Sequence, residues 1–289
     1  MPPAQLTYFA EPRLQRPVLL LGLTGWMDGG DVSTGTVEAL AAGASAAPLA
    51  EIAGEDFYLY SFPGSMEISA LFRPHVNIVD GLIEEMAFAR GAFTYDAGAG
   101  AIYFLGKEPH LNWSGYAACL FDVIERFDVP RVVFVGSVAG AVPHTREPRM
   151  WCSVSRPSLR DELARYGVRF SDYEGPGSFI TYLTREVGRR QRDMVAFVAE
   201  IPAYVQGTNP ICIEAVCRRL AALTGLPVDL NPLRKRRAAF EKRLHEVVQQ
   251  KPELVELIQK LESDYDNEVF DTEMTDLKQW LQQRGIRLD

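Results

Sequence analysis

Apolar residues gather along this chain in short unbroken runs that stop at glycine or proline, and between the runs their spacing relaxes to the rhythm of a helix. The runs are 17–23 (PVLLLGL), 56–62 (DFYLYSF), 75–79 (HVNIV), 101–106 (AIYFLG), 131–138 (RVVFVGSV) and 194–201 (MVAFVAEI), each of which predicts a strand. Val132, Val133, Phe134 and Val135 have no polar residue among them, so that strand should be covered on both faces. Helical patterns open at Asp31, Ser114, Ser158, Ser178 and Asn209, side chains able to accept from the free amides of a first turn. The alternation predicts an α/β fold, a three-layer α/β/α sandwich with a mainly parallel central sheet, over residues 1–230.

From Pro232 the rhythm is helical only. RKRRAAFEKRLHEVVQQ, PELVELIQKLESDYDNE and TEMTDLKQWLQQRG predict three charged helices, parted by Pro252 and by the acidic stretch Asp264 to Asp271, in an extension over 231–289. Leu254, Leu257, Ile258 and Leu261 make an apolar stripe that must pack on the sandwich or on another subunit.

The composition, 289 residues of which 47% are hydrophobic, suits one large core plus such an appendage. A net charge of −8 repels nucleic acid and anionic membrane, and neither is expected as a partner. With no basic-then-apolar leader and no run long enough to span a bilayer, the expected location is the cytoplasm. Cys119, Cys152, Cys212 and Cys217 lack metal-site spacing and should be reduced and mostly buried.

Polar residues concentrate where predicted strands end and helices begin: TGWMDGGD (24–31), GKEPHLNW (106–113), GAVPHTREP (140–148) and IPAYVQGTNP (201–210). In a parallel sheet these ends share one edge, the edge at which open α/β folds bind ligands. YEGPGSF (173–179) also runs into a helix and is placed with them. The predicted shared surface therefore contains Asp28, Glu108, His110, His144, Arg146, Glu174 and Asn209.

Residue by residue, that surface lacks a complete catalytic motif. The glycines at 22, 25, 29 and 30 do not follow GxGxxG, and GKE puts Glu108 where a phosphate loop needs serine or threonine. The histidines show no HxH or HxxxH spacing, and GSVAG places Ser137 directly after glycine, which is not a GxSxG elbow. Neither a cofactor nor a metal is expected. His144, behind Pro143, reads as an anchor whose nitrogens serve loop groups, and Arg146 as pairing with an acid such as Glu174 or facing a small anion. The acid pairs Glu84 with Glu85 and Asp264 with Asp266 read as solvated faces. The basic run Arg234 to Arg237 reads as an exposed helix start, with docking of an acidic partner as its functional alternative.

Taken in order, GWMDGGD, GKEPHLNW, GAVPHTR with YEGPGSF, and PAYVQGTNP resemble the family named after the second proteasome assembly chaperone, in its prokaryotic branch, over about residues 15–225. PELVELIQKLESDYDNE is similar to the extension of the bacterial members. The resemblance implies an α/β/α domain of the nucleoside phosphorylase and hydrolase class and a non-enzymatic role in protein interaction or assembly. It also implies protein partners, proteasome subunits among them by resemblance alone, and a homo-oligomer, taken as a trimer. The chain ends in QQRGIRLD without the penultimate tyrosine with which eukaryotic and archaeal members enter proteasome pockets, so tail docking is not expected. The competing expectation is a nucleoside-, nucleotide- or phosphate-binding protein, or a hydrolase or phosphorylase-like enzyme. In that case His144 and Arg146 would meet an anion or act as base, and Glu174 or Glu108 would hold sugar hydroxyls.

Overall fold

Alternate residues of the apolar runs go to opposite sides of one sheet, which is why the runs need no polar positions. The computed structural model describes residues 2–166 and 168–283. Its N-terminal third contains β1 (Leu6–Tyr8), β2 (Val18–Thr24), α1 (Val32–Ala42), β3 (Ala47–Ala53), α2 (Met66–Ala70), β4 (His75–Val79), β5 (Leu82–Ala87) and β6 (Arg90–Asp96). The middle adds β7 (Ala101–Lys107), α3 (Trp113–Arg126), β8 (Arg131–Gly140), β9 (Met150–Val154), α4 (Ser158–Ala164) and β10 (Arg169–Phe170). Then come α5 (Phe179–Arg189), β11 (Asp193–Pro202), α6 (Pro210–Thr224), α7 (Asn231–Gln249) and α8 (Pro252–Gln283).

Nine strands form one mixed sheet in the order β1-β3-β6-β7-β2-β8-β11-β9-β10. The middle four, β7, β2, β8 and β11, run parallel. The flanks turn antiparallel at β6 against β7 and at β9 against β11. Leu19, Leu21, Phe104, Val132, Phe134 and Met194 face α3 and α5, whereas Leu20, Tyr103, Val133, Val135, Val195 and Phe197 face α1, α4 and α6. Each fully buried leucine of this kind contributes about 1.5–3 kcal/mol. The expected α/β class with helices on both sides is the one found, its parallel character residing in the central strands.

Three expectations need correction. Residues 56–62 form no strand: Phe57 closes a turn onto Gly54 O at 3.0 Å, and Phe57 and Tyr58 enter the core from that loop. Residues 75–79 are a strand, but β4 pairs only with β5 and lies outside the main sheet. The second and third predicted C-terminal helices are one helix through the acidic stretch as far as Gln283, since no glycine or proline follows Pro252 to break it there. Of its stripe, Ile258 is buried, Leu254 and Leu261 are half-buried and Leu257 is exposed. The end of the chain from Arg284, with most of QQRGIRLD, lies outside the described residues.

Candidate functional site

β2, β7, β8 and β11 end at Thr24, Lys107, Gly140 and Pro202, and their parallel pairing brings the four following loops to one edge of the sheet. β2 and β8 stay paired only between Val18–Leu21 and Arg131–Phe134, then part. A crevice between parting strand ends is the usual ligand entrance of an open α/β sheet. Here the loop after β2 closes it. The Ser137 N–H donates to Met27 O at 2.8 Å, and Ser137 Oγ donates to Gly29 O at 2.6 Å. Ser33 Oγ donates to Val135 O at 2.5 Å and accepts from the Leu23 N–H at 3.0 Å. Both serines are fully buried. Gly30 turns the loop with φ 65°, and a Cβ there would lie 2.9 Å from that of Asn209.

The candidate side chains divide into two groups on either side of this closed crevice. Asp28 sits within it, accepting from the Ser33 and Thr34 N–H groups at 2.8 and 3.1 Å and from Thr34 Oγ1 at 2.9 Å, so it holds the start of α1. Burial pushes its carboxyl above the ordinary range, and those donors pull it back. Toward β7, Glu108 clamps two loops, accepting from the Trp26 N–H at 3.2 Å and from the Phe179 N–H at 2.9 Å. His110 Nδ1 accepts from the Leu59 N–H at 3.2 Å, and burial, reinforced by Lys107, holds the ring below its ordinary pKa.

Toward β11, the Tyr204 hydroxyl accepts from the His144 N–H at 2.8 Å and lies 2.8 Å from its Nδ1, so the tyrosine proton goes to Nδ1 and the neutral ring carries its own on Nε2. Burial lowers the His144 pKa against the pull of Glu262 and Glu241. Asn209 caps α6, accepting from the Cys212 N–H at 3.2 Å, while its own N–H donates to Gly30 O at 2.8 Å.

Arg146 corrects one expectation. Its guanidinium forms a two-pronged pair with Asp266 of α8 at 2.8 and 2.7 Å and also reaches Glu262, so its acid partners come from the C-terminal helix and not from Glu174. Asp266 is correspondingly more than a solvated acid, and Arg146 holds its carboxyl below the usual range. Glu174 is exposed and makes no side-chain bond among the described residues. Tyr204 and Ser33 are structural members of this rim that the sequence did not single out, and Ser137, set aside there as a nucleophile, is a third. For Ser137, a small polar side chain inside the apolar run RVVFVGSV was the one visible signal.

Little room remains between the candidate side chains on the β11 side. His144, Arg146 and Asn209 meet around a cavity of about 10 Å³, the size of a single water. Asn209 Nδ2, buried there, has no partner among the described residues. No group of three histidine, cysteine or acidic side chains suited to a metal occurs among the described residues. The four cysteines are buried and unpaired, and burial pushes Cys119 up to about 11 and the other three up to about 12, which removes them as nucleophiles at neutral pH. Among the described residues no helix is long and apolar enough to cross a membrane. In contrast, the same edge displays Trp26, Leu111 and Tyr173 to solvent.

Against known proteins, the model of the PAC2 family matches residues 22–248, which carries the likeness through α7, beyond the limit near 225 read from the motifs. Among solved structures the chain is similar to the Mycobacterium tuberculosis proteasome-assembly chaperone homologue. That protein is 26% identical with a TM-score of 0.72, over 83% of this chain and 99% of that one. A second M. tuberculosis protein, of unknown function, is 22% identical with a TM-score of 0.81, over 95% and 93% of the two chains. An archaeal proteasome activator from Pyrococcus furiosus is 18% identical with a TM-score of 0.63, over 84% and 97%. The last two likenesses concern the fold alone. A comparison with curated proteins finds no match. The family model spans most of the chain, from within β2 to the end of the helix after the sandwich, and on that extent the chain belongs to the PAC2 family.

Proposed function

We propose that this chain is a non-enzymatic protein-binding protein of the assembly-chaperone kind, homo-oligomeric and cytoplasmic, which presents the strand-end edge of its sandwich to partners. The observation that carries the reading is the closed crevice. The loop of residues 25–31 occupies the place of a ligand through Ser33 and Ser137, and the polar rim groups other than Glu174 are spent on holding loops and helix ends together. Proteasome subunits enter as candidate partners through the family and through the chaperone homologue. The competing reading, a nucleoside, nucleotide or phosphate site, has against it that the cavity where His144, Arg146 and Asn209 meet is about 10 Å³, and that the groove of about 450 Å³ bordered by Thr208 carries the acids Asp31 and Glu38, which repel an anion.

The test is thermal and enzymatic. A site with a dissociation constant of 10 μM would, at 1 mM ligand, stabilise the fold by about 2.7 kcal/mol, readily seen as a raised Tm. Pure protein should show no such rise with nucleosides, nucleotides or phosphate and no turnover of them. A reproducible rise together with product formation overturns the proposal.

A further inference from the structure

The arm formed by α2, β4 and β5 is a surface that the strand-end site does not use. Its base is anchored: Phe62 stacks on Phe72 at 5.0 Å, Phe72 meets the His110 ring, and Ser69 Oγ donates to Phe62 O at 2.8 Å. Beyond that base the hairpin is bare. Asp80 and Gly81, with φ 49° and 80°, make the tight turn, and every residue from His75 to Met86 is exposed, Leu82 at 70% and Ile83 at 69%. On α2 and just after it, Met66 and Leu71 are exposed at 81% and 77%. A lone two-stranded hairpin is marginal in water, and soluble monomers rarely show so much contiguous apolar surface. The arm also carries Asp80, Glu84 and Glu85, none of which forms an ion pair among the described residues.

A complementary surface lies on the helices of the sandwich. Between α1, α6 and α7 runs a groove of about 450 Å³, with Gly35, Ala39 and Ile213 along it and Arg236 on its rim. Arg234, Lys235 and Arg236 are exposed at the start of α7, and neither Lys235 nor Arg236 has an ion-pair partner among the described residues. Behind them the buried carboxylate of Glu214 accepts from Arg237 at 2.9 Å, while Arg218 also pairs with Glu147 and Arg237 with Glu241, so the positive charge left over here is that of Lys235 and Arg236. The acids of the groove, Asp31 and Glu38, stand on its α1 side, so an acidic visitor is steered toward α7.

We propose that the occupant of this groove is the β4–β5 arm of a second copy of the chain, with Ile78 and Ile83, cross-strand neighbours on one face of the hairpin, covered by the groove and Glu84 and Glu85 paired with Lys235 and Arg236. Arm and groove are different patches, so the contact is head to tail and closes into a ring where the rotation permits. The inference rests on the homo-oligomeric part of the proposed function and names its interface. Turnover by the pure protein would end the non-catalytic reading and leave this contact standing.

The experiment is light scattering on the full-length protein and charge-reversed variants, with circular dichroism to check folding. Wild type is expected as an oligomer. Glu84→Arg with Glu85→Arg, and separately Lys235→Glu with Arg236→Glu, should each give the 32.3 kDa monomer, and all four changes in one chain should restore assembly. A folded reversed variant that keeps the wild-type mass, or a monomeric wild type at about 0.1 mM, overturns the inference. So that a misfolded variant does not leave the question open, carbodiimide cross-linking of mixed light and heavy wild-type copies should join Lys235 to Glu84 or Glu85 between copies. Inter-copy links confined to other surfaces would equally overturn it.

Discussion

At the scale of single residues, His144 shows how a side chain that looks chemical serves the loop around it. Its Nδ1 and its backbone N–H both bond the Tyr204 hydroxyl, an arrangement in which a neutral Nδ1 accepts from the O–H while the backbone N–H donates to the oxygen. The ring is therefore wanted neutral, and burial depresses its pKa. A depressed histidine favours the fold above its unfolded pKa of 6.5 and withdraws that support as pH falls through the folded value. His110 acts in the same sense. Glu262 and Glu241 soften the effect at His144, and His245 sharpens it. Unfolding free energy from urea titrations should thus decline between pH 7 and pH 5, and His144→Gln, which has no proton to gain, should decline less steeply. Parallel curves for the two proteins would remove the anchor role.

Among elements, the helix starts carry the rim. Asn209 joins α6 to the loop after β2, capping the Cys212 N–H with its side chain while its backbone reaches Gly30 O. Loss of such a cap costs about 1 kcal/mol. Asn209→Ala should therefore lower stability by about that amount in chemical denaturation. Asn209→Ser should cost clearly less, because it keeps an acceptor and removes the Nδ2 donor that lacks a partner. Equal losses for the two variants would show that volume at the site, and not the cap, decides.

On the scale of the molecule, α8 is strapped across the end of the sandwich by charge. Arg146 holds Asp266 and Glu262, Arg149 and Arg169 hold Glu268, and the Tyr265 hydroxyl donates to Glu147 O at 3.0 Å. Part of this array is open to solvent, so salt should loosen it. Hydrogen exchange of residues 252–270 is expected to quicken in Arg146→Ala with Arg169→Ala, and in wild type at about 0.5 M salt, where the screening length is short, while β8 and β11 keep their protection. Unchanged exchange in α8 under both conditions would mean that Ile258 and its apolar neighbours hold the helix alone.

What the sequence determined by itself was local: the α/β class, the central strands whose apolar runs have no polar face, the caps at Ser178 and Asn209, and loops that a parallel sheet must gather at one edge. Tertiary structure decided the rest. β3, β6 and β9 carry too few β-branched residues to stand out and are strands because neighbours supply their hydrogen bonds. Phe57 is apolar because the core needs it, in a turn where a run suggested a strand. The closing of the crevice joins Ser137 to Gly29 across 108 positions, and the partner of Arg146 lies 120 positions away in α8. Periodicity records what a residue meets within a turn or two of chain, whereas these bonds exist only once the sheet has set the distances between remote loops.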